Sequence, residues 1–125
     1  MVKILFDKDK GIVQTQGSGQ VTFNSNIILD NCYLNLTTKL ITSNMTIENE
    51  NIILADASSN VINCYIPYTN TNGRTLYIKK IDNSSNSVII NCLNEKTIDG
   101  EVTKTIVDQY DCLQIVCYDG NWFII

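Results

Sequence analysis

Apolar residues recur along this chain in short runs that alternate with polar ones, and no stretch sustains a helical period. Ile, Val, Thr and Tyr dominate. No window places apolar residues at i, i+3, i+4 and i+7 with good helix formers between them. The pattern predicts strands throughout, at 2–6, 11–15, 20–23, 26–29, 32–36, 40–47, 51–54, 61–66, 75–81, 87–92, 102–107, 113–118 and 121–125. They are short and separated by Gly, Asn, Asp and Ser clusters, as in an all-β domain. Gln16-Gly17-Ser18-Gly19, Asn70-Thr71-Asn72-Gly73, Asp99-Gly100 and Asp119-Gly120 put glycine or asparagine where a positive φ is expected. Tyr118-Asp119-Gly120-Asn121 lies between two apolar runs and predicts a hairpin joining 113–118 to 121–125. Pro67, the lone proline, ends the strand 61–66 rather than interrupting it.

The last two strands are apolar on both faces. Leu113, Ile115 and Cys117 alternate with Gln114, Val116 and Tyr118, and Trp122 and Ile124 alternate with Phe123 and Ile125. A strand with one face in water should carry polar residues at every second position. At about 25 cal/mol per Å2, leaving several such side chains in water costs a few kcal/mol, a fair share of a domain's net stability. The second face is therefore expected to be covered, by another sheet of the same chain or by another subunit. Seven of the ten aromatic residues follow Glu50. This shift divides the chain into an arm, stalk or attachment region at 1–50 and a compact head at 51–125. No repeat of fixed period is convincing, although Asn26-Ile27-Ile28-Leu29 and Asn51-Ile52-Ile53-Leu54 echo each other.

Composition narrows the class further. With 125 residues, 44% hydrophobic, 18% charged and a net charge of −4, the chain is too apolar for disorder and has the wrong sign for nucleic acid. Its apolar runs stop far short of the ~20 residues of a membrane span, so no membrane insertion is expected. Asp7, Lys8, Asp9 and Lys10 cut off Ile4-Leu5-Phe6 before it could serve as a signal-peptide core, so a start made in a reducing cytoplasm is expected. The five cysteines, Cys32, Cys64, Cys92, Cys112 and Cys117, include no CxxC pair, and histidine is absent. Buried free thiols are expected, without zinc or Cys–His catalysis. The 16 asparagines and 19 isoleucines belong to AT-rich codons and point to a biased genome. The Asn-x-Ser/Thr triplets at Asn35, Asn44 and Asn83 are read as accidents of that bias. The carboxylates lie mostly at predicted turns and strand ends, without the paired arrangement of a glycosidase. Asp108 and Asp111 flank Tyr110 but form no Asp-x-Asp-x-Asp-Gly loop, so neither a metal nor any other cofactor is expected.

Six segments after residue 54 carry a resemblance through their order and spacing. They are Ala57-Ser58-Ser59-Asn60-Val61, Tyr65-Ile66-Pro67, Gly73-Arg74-Thr75-Leu76-Tyr77-Ile78-Lys79-Lys80-Ile81-Asp82, Ser87-Val88-Ile89-Ile90, Thr97-Ile98-Asp99-Gly100 and Asp119-Gly120-Asn121-Trp122. Together they resemble the C-terminal head modules of tail fibres, spikes and capsid-surface proteins of bacteriophages and large DNA viruses. The resemblance implies a β-sandwich or β-prism head of short antiparallel strands, trimeric about a threefold axis and preceded by an extended arm or stalk. It implies a non-enzymatic structural protein of the virion surface, acting in assembly, shell reinforcement or host attachment. Its partners would be copies of itself in a homotrimer, other virion or capsid proteins reached through residues 1–50, and a host-surface glycan.

The runner-up reading is a small carbohydrate-binding module. Aromatic rings offer stacking faces for sugars, although rings on strands more often belong to a core. Tyr68 just past Pro67, in a loop with Asn70 and Asn72, is the least core-like of them. Tyr68, Asn70 and Asn72 are the ligand-binding candidates.

Overall fold

The computed structural model describes residues 3–7, 9, 11–16, 34–66 and 72–125. The chain forms two compact units, Met1–Leu34 and Asn35–Ile125. In the first, β1 (Lys3–Asp7) and β2 (Gly11–Gln16) make an antiparallel pair. The expected strands at 20–23 and 26–29, and the start of that at 32–36, lie outside the described residues.

The second unit begins at Asn35, ahead of the boundary that aromatic content placed near Glu50. The reason is strand pairing. β3 (Thr38–Ile41) and β4 (Met45–Thr46) pair with β5 (Ile52–Ala55) and β6 (Ile62–Ile66), so residues 38–46 belong to the same body as the rest. The single strand expected at 40–47 is broken by a bend at Thr42–Ser43, which carries the chain from one sheet to the other.

That move repeats. β7 (Thr75–Lys80) follows in the first sheet and β8 (Val88–Cys92) in the second; β9 (Thr103–Ile106) then continues the second, and β10 (Cys112–Tyr118) and β11 (Asn121–Ile124) return to the first. The result is a five-stranded sheet in the order β11-β10-β7-β5-β3 and a four-stranded sheet in the order β4-β6-β8-β9. β3, β5 and β7 run parallel, as do β4, β6 and β8, while β9, β10 and β11 pair antiparallel. The unit is thus all-β with two mixed sheets, and no helix occurs among the described residues. Within this unit the expected antiparallel pairing is found only toward the C-terminus. Winding from sheet to sheet brings each strand back beside its predecessor in the same direction, which a tight hairpin cannot do.

The expected hairpin at Tyr118–Asn121 is present. Tyr118 pairs with Asn121, and Asp119 and Gly120 hold φ of 50° and 75°, the double positive φ of a two-residue turn matched to strand twist. A second turn of this kind closes at Asp99 (48°) and Gly100 (84°) between the bridged pair Ile98 and Glu101.

One core lies between the sheets. Ile53, Leu76, Ile78 and Ile115 face it from the five-stranded sheet; Ile62, Cys64, Val88 and Ile90 face it from the other, and all eight are fully buried. Trp122 is buried as well and joins this core from the last strand. The apolar C-terminus is therefore explained from within only at Trp122, because Phe123, Ile124 and Ile125 all stay exposed.

Candidate functional site

Strand alternation fixes what each sheet shows on its outer face. On the five-stranded sheet the outward rows, read across the register, are Thr38–Ile52–Tyr77–Gln114, Leu40–Leu54–Lys79–Cys112 and Thr75–Val116–Phe123. Leu40 is 60% exposed, Phe123 43% and Ile125 63%, while Ile52, Leu54, Tyr77 and Val116 are half-buried by their neighbours. Lys79 is the one charged side chain in these rows, and its Nζ lies 5.7 Å from the centre of the Tyr110 ring. The face mixes these apolar side chains with Thr38, Thr75, Lys79 and Gln114, and its exposed members Leu40 and Phe123 are candidates for contact with a partner.

The outer face of the four-stranded sheet differs in chemistry. Its rows are Thr46–Tyr65–Asn91–Thr103 and Asn63–Ile89–Thr105. The Asn91 side-chain amide donates to Asn63 Oδ1 (3.2 Å) across β6 and β8, and Asn44 Oδ1 accepts the Asn63 backbone N–H (2.8 Å). None of these outward side chains carries a charge.

Of the three sequence-predicted ligand residues, Tyr68 and Asn70 lie outside the described residues. Asn72 is exposed, and its Oδ1 accepts the backbone N–H of Asp119 at 2.8 Å. The Gly73 N–H donates to Cys117 O (2.9 Å) beside it. The visible role of Asn72 is to tie its loop to the β10–β11 turn.

A buried polar cluster has no counterpart among the sequence-predicted sites. Leu76, Ile78 and Lys80 point inward on β7, so alternation puts an ammonium in the interior. Lys80 is fully buried, and its Nζ donates to Asp82 Oδ1 (2.7 Å), Asp82 O (2.8 Å) and Ser84 O (3.1 Å), using all three donors. Asp82 also accepts from Ser84 Oγ and the N–H groups of Ser84 and Ala57. Burial alone would push this carboxyl up; the bonds from Lys80, Ser84 and Ala57 outweigh it and hold Asp82 well below the usual carboxylate range. Asn86 Nδ2 donates to Ala57 O (2.8 Å), and with the Ala57 N–H on Asp82 this ties the corner after β5 to the corner after β7. Every group is spent on another, which suits a structural pin rather than a reactive centre.

The other candidate chemistry is similarly inert. Burial pushes the Cys64 and Cys92 thiols up to about 11, leaving both protonated at neutral pH. Among the described residues no three His, Cys, Asp or Glu side chains converge as metal ligands. An open groove of about 250 Å3 runs along Lys39–Met45. At its edge Lys39 pairs with Glu50 (3.5 Å); the Glu48 N–H, more than Lys39, keeps the Glu50 carboxyl below its ordinary range.

No protein-family model matches this chain, and a search of curated proteins finds no match.

Proposed function

We propose that this protein is a non-enzymatic structural subunit that assembles with copies of itself through the outer face of its five-stranded sheet. The observation that carries the reading is the exposure of Leu40 and Phe123 on an outward face that also carries half-buried Ile52, Leu54 and Val116, beside a well-closed core. Covering such a face with identical copies removes apolar area from water at about 25 cal/mol per Å2. Threefold closure, as the resemblance to viral head modules implies, makes the assembly a homotrimeric head at a virion surface. The first unit, Met1–Leu34, then serves attachment to neighbouring virion or capsid proteins, and the work done is shell reinforcement or host attachment.

Size-exclusion chromatography with light scattering tests the assembly. The expected result is a particle of about three times the 14.1 kDa chain mass, falling toward one chain in Leu40→Asp and Phe123→Asp variants with unchanged far-UV circular dichroism. A well-folded wild-type monomer at micromolar concentration removes the reading. Mass spectrometry of purified virus particles tests the location, and absence of the chain from them would leave only the self-assembly.

A further inference from the structure

We infer that the outer face of the four-stranded sheet is a binding platform for a neutral glycan, with Tyr65 as the stacking ring and Asn63 and Asn91 as the polar contacts. The argument begins with charge. The seven outward side chains on β4, β6, β8 and β9 are Thr46, Asn63, Tyr65, Ile89, Asn91, Thr103 and Thr105, all uncharged on a chain of net charge −4. Phosphate and nucleic acid need cations that this face lacks. An acidic glycan would meet the protein's net negative charge without a compensating patch. A protein partner would need a cluster of large apolar or Arg anchors, and here Tyr65 and Ile89 are the only large side chains among seven.

What remains matches a neutral polyhydroxylated chain. Sugars present hydroxyl groups that both donate and accept, together with C–H faces that pack on aromatic rings. Thr46, Thr103 and Thr105 are exposed hydroxyls. The contact from Asn91 Nδ2 to Asn63 Oδ1 fixes the two amides side by side, which leaves Asn63 Nδ2 to donate outward and Asn91 Oδ1 to accept. Tyr65 stands between Thr46 and Asn91 in one register row, so its ring is flanked by polar groups about 4.8 Å away on either strand. The sheet backbone sets this spacing, so little ordering is required when a ligand lands. The site stands whether or not copies associate through the opposite sheet.

The test is an amide-resonance titration of the full chain with neutral gluco-, manno- and xylo-oligosaccharides, with heparin as the acidic control. The expected result is binding of at least one neutral probe, with shifts centred on Asn63, Tyr65 and Asn91. Tyr65→Ala and Asn91→Asp should each weaken it at least about tenfold, and Phe123→Asp should leave it unchanged. Thr105→Glu, at an exposed position where folding is not at risk, should weaken it as well. No binding of any neutral probe at millimolar concentration, preference for heparin, or shifts confined to other surfaces would overturn the proposal. Particle mass, read separately by light scattering, keeps this outcome apart from that of self-assembly.

Discussion

Lys80 shows how much one inward side chain can commit a sheet. Its ammonium is fully buried, so removing its counter-charge leaves a buried cation without compensation, a change that costs about 3–5 kcal/mol in comparable pairs. Asp82→Asn is therefore expected to lower thermal stability strongly, and Lys80→Met combined with Asp82→Asn to recover part of the loss; calorimetry on the three variants checks both. The pH dependence has a definite sign. Asp82 ionises more readily folded than unfolded, so its stabilisation is complete above the ordinary value of 3.8 and is lost as pH falls below it toward the depressed folded value. Asp82→Asn should flatten that acid limb in denaturant titrations. Cys64 and Cys92 act at the other end. Their folded values near 11 exceed the ordinary 9.0, so the unfolded chain loses these protons first and stability falls as pH rises from about 9 toward about 11. Alkylation mapped by mass spectrometry at pH 8 should find exposed Cys112 modified well ahead of buried Cys64 and Cys117. Lys80 was legible in the alternation of Leu76, Ile78 and Lys80. Its partners were not, because the corner after β5 meets the corner after β7 only through the fold.

At the scale of elements, the turns are where local chemistry and structure coincide. Gly100 sits at φ +84° with nothing within 4 Å of a built Cβ, so a side chain there meets backbone strain and no collision. Gly100→Val should destabilise by roughly 1–3 kcal/mol and Gly100→Asn by less, since asparagine tolerates the left-handed region; thermal melts of the pair separate the two effects. The same local signals made the β10–β11 hairpin readable, because Asp119 and Gly120 carry both positive φ values themselves. Parallel pairing leaves no such mark. Thr38, Ile52 and Tyr77 lie side by side although long and unequal stretches of chain separate them. Alternation puts Ile52 and Tyr77 in strands, leaves Thr38 in the gap between 32–36 and 40–47, and does not say which strand touches which. For the same reason the aromatic count put the boundary at Glu50, since β3 and β4 hold no ring yet pair into both sheets.

The whole second unit presents two unlike surfaces, one apolar on β3, β5, β7, β10 and β11, the other neutral and polar on β4, β6, β8 and β9. The apolar strands at the C-terminus predicted a covered second face, and within one chain Phe123 and Ile125 stay exposed. The polar platform left no comparable trace, because Asn63, Asn91 and Thr103 become neighbours only in the finished sheet. If copies associate through the apolar face, stability becomes a function of concentration. The melting temperature should rise as protein is raised from low to high micromolar, and Leu40→Asp should abolish that dependence.

The sheet margins are unequal too. Residues 97–99 lie along β11, where Trp122 N–H donates to Thr97 O (2.8 Å) and Asp99 N–H to Trp122 O (3.0 Å), whereas no described strand follows the far margin of β3. A further strand appended after β11 would first have to displace a segment already bonded there.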